Sequence, residues 1–289
     1  MFQNNNLSTL KSVETLPPFL LQVVKCNRWS EIVEEILPDV NYMPGSRMTN
    51  LPLVFNDPVV CRLYDALYAE VRHDYALSLA SEYWGFIDIL NNGTTVVEVG
   101  CGPGTVLLHL AKMAKEKGKE INFVGWDISS EMIYLAERRR AAYKLDNVTF
   151  LLGISSDKQC LDYLKNAQLL LSRNVLSWVE DPNMEIALWK QTMPKDANII
   201  SREVRRDISF EQFKNRMLEA CQFTFAGQLL AYPLAAYLIS YLRAFTGNEH
   251  LALFRRHFPD AQALTVGTGL KSDLGKAEEA ESQLICIKR

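Results

Sequence analysis

Val96-Val-Glu-Val-Gly-Cys-Gly-Pro-Gly-Thr105 decides the fold. It reads as a short apolar strand, Thr94 to Val99, that runs into a glycine loop and then into a helix over Val106–Ala114. Three glycines in five residues let the backbone approach a ligand closely, with the N-terminus of the next helix facing it. A dinucleotide fingerprint requires G-x-G-x-x-G, but here the sixth place is Thr105, so the third glycine falls one position early. Asp127 closes the following strand, 23 residues beyond Gly104. An acid there suits ribose hydroxyls, caps the next helix, or does both.

Outward from this loop, strands and helices alternate. Ile121–Trp126 reads as strand, Ser130–Tyr143 as helix and Val148–Leu152 as strand. Leu169–Leu171 and Asn198–Ser201 follow as further strands, and Ala261–Val266 with Gln283–Ile287 form a final pair. Apolar strands alternating with helices predict an α/β fold with a largely parallel sheet covered on both faces. Residues 1–92 read as an N-terminal helical cap. Asp57-Pro58 starts one of its helices, with the stripe Val59, Leu63, Leu67 and Val71, and Tyr75–Leu90 is another. Residues 93–289 read as the α/β domain, carrying a helical lid insertion at about 208–258. Cap and lid are expected to roof the carboxyl ends of the strands, where open α/β sheets bind ligands.

Composition removes several classes of activity. With 31 Lys+Arg against 34 Asp+Glu and no basic block, the chain is not built to neutralise nucleic-acid phosphates. The uncharged run Cys221–Leu242 is long enough for a bilayer, yet it contains Gln222, Gln228, Pro233 and three tyrosines, so a buried hairpin is expected rather than a membrane span. The six cysteines stand at least 35 residues apart. That spacing gives no local support for a zinc site or redox dithiol, and predicts reduced thiols in a cytoplasmic protein. Nothing in the sequence specifies an oligomer.

Two stretches carry a resemblance. Glu98-Val-Gly-Cys-Gly-Pro-Gly104 and Val124-Gly-Trp-Asp-Ile-Ser-Ser-Glu-Met-Ile133 resemble the first two motifs of class I S-adenosylmethionine (SAM)-dependent methyltransferases, of the kind that act on small molecules and natural products. The resemblance implies a Rossmann-like, seven-stranded sheet with an antiparallel last strand, and SAM as cofactor. It places Glu98, Gly100, Cys101, Gly102 and Gly104 around the methionine half of SAM and Asp127 on the ribose. Ile128 and Met132 are placed on adenine. The family's usual acid after the third strand is missing from Gly153-Ile154-Ser155, and Asp157 is the candidate substitute. Leu171-Ser-Arg-Asn-Val-Leu-Ser-Trp-Val-Glu-Asp181 is similar to a fourth motif, which sets Arg173 and Asn174 at the border between SAM and acceptor. Tyr64-Asp65 matches an element whose ring lies near the methyl group, although core packing explains Tyr64 equally well.

Methyl transfer from SAM is an in-line displacement in which the enzyme mainly positions the partners and excludes water. A hydroxyl acceptor benefits from a general base. Many small-molecule relatives place a histidine where this chain has Ser177, and its four histidines (73, 109, 250 and 257) lie elsewhere. A carboxylate or a free amine needs less help. Arg173, Arg202, Arg205 and Arg206 flank the expected mouth, and a guanidinium suits a carboxylate. A metal-assisted reaction is not expected, because strands four and five end in Ser172-Arg173 and Ser201-Arg202. Arg173, Tyr64 and Ser177 are therefore the acceptor-side candidates. The expected activity is O-methylation of a small, largely apolar molecule or short peptide, with carboxylate preferred to hydroxyl. Three alternatives stay open: N-methylation, a catalytically silent SAM-fold binding protein and an NAD-dependent oxidoreductase.

Overall fold

The computed structural model describes residues 47, 55, 58–66, 73–207, 243–266 and 282–287. Two helices precede the sheet, α1 (Pro58–Ala66) and α2 (His73–Ile87). Five strands then alternate with helices: β1 (Thr95–Val99), α3 (Thr105–Glu116), β2 (Asn122–Asp127), α4 (Ser130–Tyr143), β3 (Val148–Leu152), α5 (Lys158–Leu164), β4 (Ala167–Arg173), α6 (Pro182–Thr192) and β5 (Asn198–Val204). The described chain closes with α7 (Gly247–Arg255), β6 (Gln262–Val266) and β7 (Ser282–Ile287). The strand order is β3-β2-β1-β4-β5-β7-β6. β1 to β5 run parallel, and β7 is antiparallel to both β5 and β6. This is the α/β sheet with an antiparallel last strand that the sequence led us to expect. β1 lies between β2 and β4, so the strand order reverses around it and opens a crevice at its carboxyl end.

The sheet buries both faces. Val96, Leu169, Leu171, Ile200 and Leu284 pack under α2, α3 and α4, whereas Val97, Leu170, Ile199 and Ile285 pack under α5, α6 and α7. Neighbouring residues point to opposite faces, which is why the central strands read as largely apolar runs. Helix starts follow local chemistry. Ser129 caps α4 by accepting from the Met132 amide, and Asp181 caps α6 ahead of Pro182. Thr246 and Glu249 form a reciprocal capping box on α7.

Two helices differ in role from the sequence reading. α2, assigned to the cap, lays Leu79, Ala80, Tyr83 and Ile87 into the sheet core. α7, assigned to the lid, buries Leu253 and Phe254 on the opposite face. Both are covering layers of the sheet, since their apolar stripes are satisfied by strands rather than by a ligand roof. The lid segment 208–242, including the uncharged run Cys221–Leu242, lies outside the described residues, as do most of residues 1–57 and Leu67 and Val71 from the first cap stripe. No helix among the described residues is long and apolar enough to cross a membrane.

Candidate active site

The glycine loop joins β1 to α3 at the crevice. Gly100, Gly102 and Gly104 all hold positive φ, at 61°, 54° and 69°. Their surroundings differ. A side chain at Gly100 would strike Val175 and one at Gly104 would strike Phe150, whereas at Gly102 it would enter open space. The outer glycines are therefore required by packing, and Gly102 is the point where bare backbone faces the crevice. Cys101 points the other way. Its buried side chain fills the space over Gly125, so only its backbone belongs to the cradle.

Two carboxylates flank the loop. Glu98 is buried on the face covered by α2 and α3, and its Oε2 has no hydrogen-bond partner. Burial pushes its carboxyl up to about 7, against the opposing pull of the Arg173 guanidinium. A buried carboxylate oxygen left without a donor beside a glycine cradle fits a cationic ligand group. Asp127 closes β2 and accepts from the amides of Gly102 at 3.0 Å and Ser129 at 2.9 Å. Burial raises its carboxyl, and the amides of Ser129, Gly102 and Ile128 pull it back. Because Ser129 takes the cap, Asp127 instead bridges the glycine loop and the head of α4.

Around Asp127 the surface is apolar. Ile128, Leu152 and Ile154 are each more than half exposed. Sequence reasoning named Ile128 and missed Leu152 and Ile154. The signal for them was present, because the parallel register sets Leu152 opposite Asp127. Met132 behaves differently and is buried between α4 and α1 with Cys61 and Leu135. Asp157 folds back, its Oδ2 accepting from the Ile154 amide at 2.9 Å, which shapes the turn after β3. Ser155 joins Trp126 and Trp189 in a network through Glu185 of α6.

The acceptor side is built from more distant parts of the chain. Tyr64 stacks edge-on against Phe55 at 5.1 Å, and Phe55 does the same against Trp178 at 5.4 Å. This bridge carries α1 from α4 across to the loop after β4. Arg139 of α4 braces the same helix, pairing with Asp65 at 2.6 Å and donating to the Thr105 hydroxyl at 3.2 Å.

Ser177 is completely buried, and its carbonyl accepts from both Arg47 and Arg243. Arg47 lies over the Phe245 ring and Arg243 over Trp178. Neither arginine was singled out from sequence, since each meets this loop from more than 60 residues away. Asn174 adopts a left-handed backbone, φ 55°, and turns its side-chain oxygen toward the Val204 amide.

Three of the four arginines considered from sequence are engaged by acids. Arg202 pairs with Glu82 of α2, Arg205 with Asp207, and Arg206 with Glu249. Arg173 alone of the four lies beside the cradle, within electrostatic reach of Glu98. His250 is buried, hydrogen-bonded to Ser201 and stacked on Phe245, while His109 is buried in α3.

A parallel sheet reversing at β1, an antiparallel final strand and a glycine cradle flanked by two acids define the class I methyltransferase type of protein. The family model for a methyltransferase domain matches residues 90–237, which is 148 of the 289 residues and just over half. The chain belongs to that family, and its cofactor is S-adenosylmethionine.

Among solved structures, a protein of Methanococcus maripaludis described as a candidate S-adenosyl-L-methionine-dependent methyltransferase is 14% identical, with a TM-score of 0.55 over 84% of this chain and 97% of its own. The CMeT domain of the citrinin polyketide synthase is also 14% identical, with a TM-score of 0.52 over 76% of this chain and 54% of its own. At these identities the likeness is one of fold. No curated protein matches the sequence significantly.

Proposed function

We propose that the protein transfers the methyl group of SAM to an oxygen of a small, largely apolar acceptor, either a small molecule or a short peptide, with a carboxylate preferred over a hydroxyl. SAM supplies the electrophilic methyl group. Glu98 and the backbone from Gly100 to Gly104 hold its cationic half, Asp127 accepts from the ribose hydroxyls, and Ile128 with Leu152 and Ile154 offers the adenine an apolar edge. Met132 packs α4 against α1, and Asp157 holds the turn after β3. Arg173 borders donor and acceptor, and the Tyr64 ring excludes water from the acceptor side. Asn174 and Ser177 shape the loop between them.

The observation that carries this reading is the aromatic bridge Tyr64–Phe55–Trp178, which gives the acceptor side an apolar wall. The placement of His109 and His250 in the sheet's covering layers favours an acceptor whose lone pair needs no base.

The test is a labelled-methyl assay against matched apolar acids, alcohols and amines. The expected product forms from the acid and releases its label in mild base, as a methyl ester does. Base-stable label on an amine would replace this reading with N-methylation.

A further inference from the structure

The loop after β4 is templated by three consecutive residues of β5. The Arg202 carbonyl accepts from the Asn174 amide at 2.8 Å, and the Val204 amide donates to the Asn174 side chain at 3.2 Å. Between them, Oε1 of Glu203 accepts from the Val175 amide at 2.8 Å and the Leu176 amide at 2.9 Å. Glu203 is 1% exposed. Val175 in turn leaves no room for a side chain at Gly100, where an added Cβ would lie 2.4 Å from its Cγ2. One carboxylate thus fixes a turn, and one residue of that turn packs on the cofactor loop.

We propose that Glu203 is a positioning residue for SAM binding, acting through Val175 to hold Gly100 and the rest of the glycine cradle in its binding conformation. A charged acceptor gripping two adjacent amides is stronger and more directional than a neutral one. Truncating it would leave two amides without their acceptor, in a turn that touches the cradle. The grip depends on the oxygen, so glutamine, which keeps an acceptor at the same reach, preserves most of it. This role concerns the cofactor alone and is independent of which acceptor is methylated.

The experiment is calorimetric titration of the purified full chain with S-adenosylhomocysteine, paired with thermal unfolding of each variant. Glu203→Ala is expected to weaken binding about tenfold or more, and Glu203→Gln no more than about threefold. Val175→Ala, which keeps the carboxylate and removes the contact on Gly100, is expected to fall between them. Leu164→Ala, at the end of α5 and buried in the core, controls for a general loss of stability and is expected to bind as wild type does. Wild-type affinity in Glu203→Ala, an equal loss in Glu203→Gln, or an equal loss in Leu164→Ala would overturn the proposal. If Glu203→Ala does not fold, unchanged affinity in Val175→Ala overturns it.

Discussion

The two sides of the crevice are made differently. On the cofactor side, β1, β2 and the glycine loop bring Glu98, Gly102 and Asp127 together within 30 residues of sequence, and much of the recognition surface is backbone. On the acceptor side, the loop after β4 is held by Arg47 and Arg243, each from more than 60 residues away, and by Glu203 of the neighbouring strand β5. The first side is written in residue spacing. The second depends on ion pairs and aromatic contacts across the fold, so the same residue types there serve as substrate ligands or as struts. The difference sets what substitutions should do: changes on the cofactor side, and at Glu203, which reaches the cradle through Val175, should cost binding, and changes to the other struts should cost stability first.

The largest effect is expected at Gly104. Valine there must adopt φ 69° and displace the Phe150 ring, which lies 2.5 Å from an added Cβ. Gly104→Val should cost roughly 3 kcal/mol or more of stability and abolish SAM binding, as read by thermal unfolding and titration. Wild-type affinity in that variant would break the distinction between the two sides.

Glu82→Ala should behave as a strut. It removes the acid that pairs with the buried Arg202 guanidinium, and because Glu82 is itself one-third exposed the cost is expected at about 1–2 kcal/mol. Denaturant unfolding measures that cost, and SAM affinity should stay at wild type. A parallel loss of affinity would place Arg202 in the site after all.

Glu98→Gln tests the buried carboxylate through pH. The folded-state value of about 7 lies above the ordinary 4.5, so the native state holds the proton more tightly than the unfolded chain. Stability therefore falls as pH rises from about 4.5 through 7, and it is fully retained only below that window. Glutamine removes this dependence. The variant should match wild type at low pH and exceed it above pH 7 by on the order of 2–3 kcal/mol, while binding SAM more weakly. A variant less stable than wild type at pH 8 would contradict the buried, partnerless oxygen.

The smallest effect is expected at Asn174. Glycine relieves the φ of 55° but gives up the hydrogen bond from Val204. The two changes oppose one another, and Asn174→Gly should move stability by less than about 1 kcal/mol on thermal unfolding. A large loss would show that the side-chain bond dominates the turn.

Legibility followed the same division. The helix Ser130–Tyr143 and the strand Val148–Leu152 were readable to the residue, because caps and apolar runs are local. The helices Lys158–Leu164 and Pro182–Thr192 were missed, although Asp181-Pro182 is a local start signal, and Gly247–Arg255 was read only as part of a helical lid although the Thr246/Glu249 box marks its start. The cradle glycines and Asp127 were legible because positive φ and close approach demand specific residues at fixed spacing. Arg202 and Arg206 were not, since Glu82 and Glu249 had to be in place before their pairing could be seen, whereas Arg205 pairs with Asp207 only two residues on. Arg47 and Arg243 carried no local signal, because each acts on a loop more than 60 residues away, and Glu203 carried none because no motif marks it.

The most direct test is calorimetric titration of SAM and S-adenosylhomocysteine, with NAD alongside, into wild type and Asp127→Ala. The account predicts micromolar binding of both sulfur ligands, none of NAD, and a loss of about tenfold or more in the variant, or about 1.4 kcal/mol. Equal affinity in the two proteins would contradict the place given to Asp127, and binding of NAD in preference to SAM would contradict the cofactor itself.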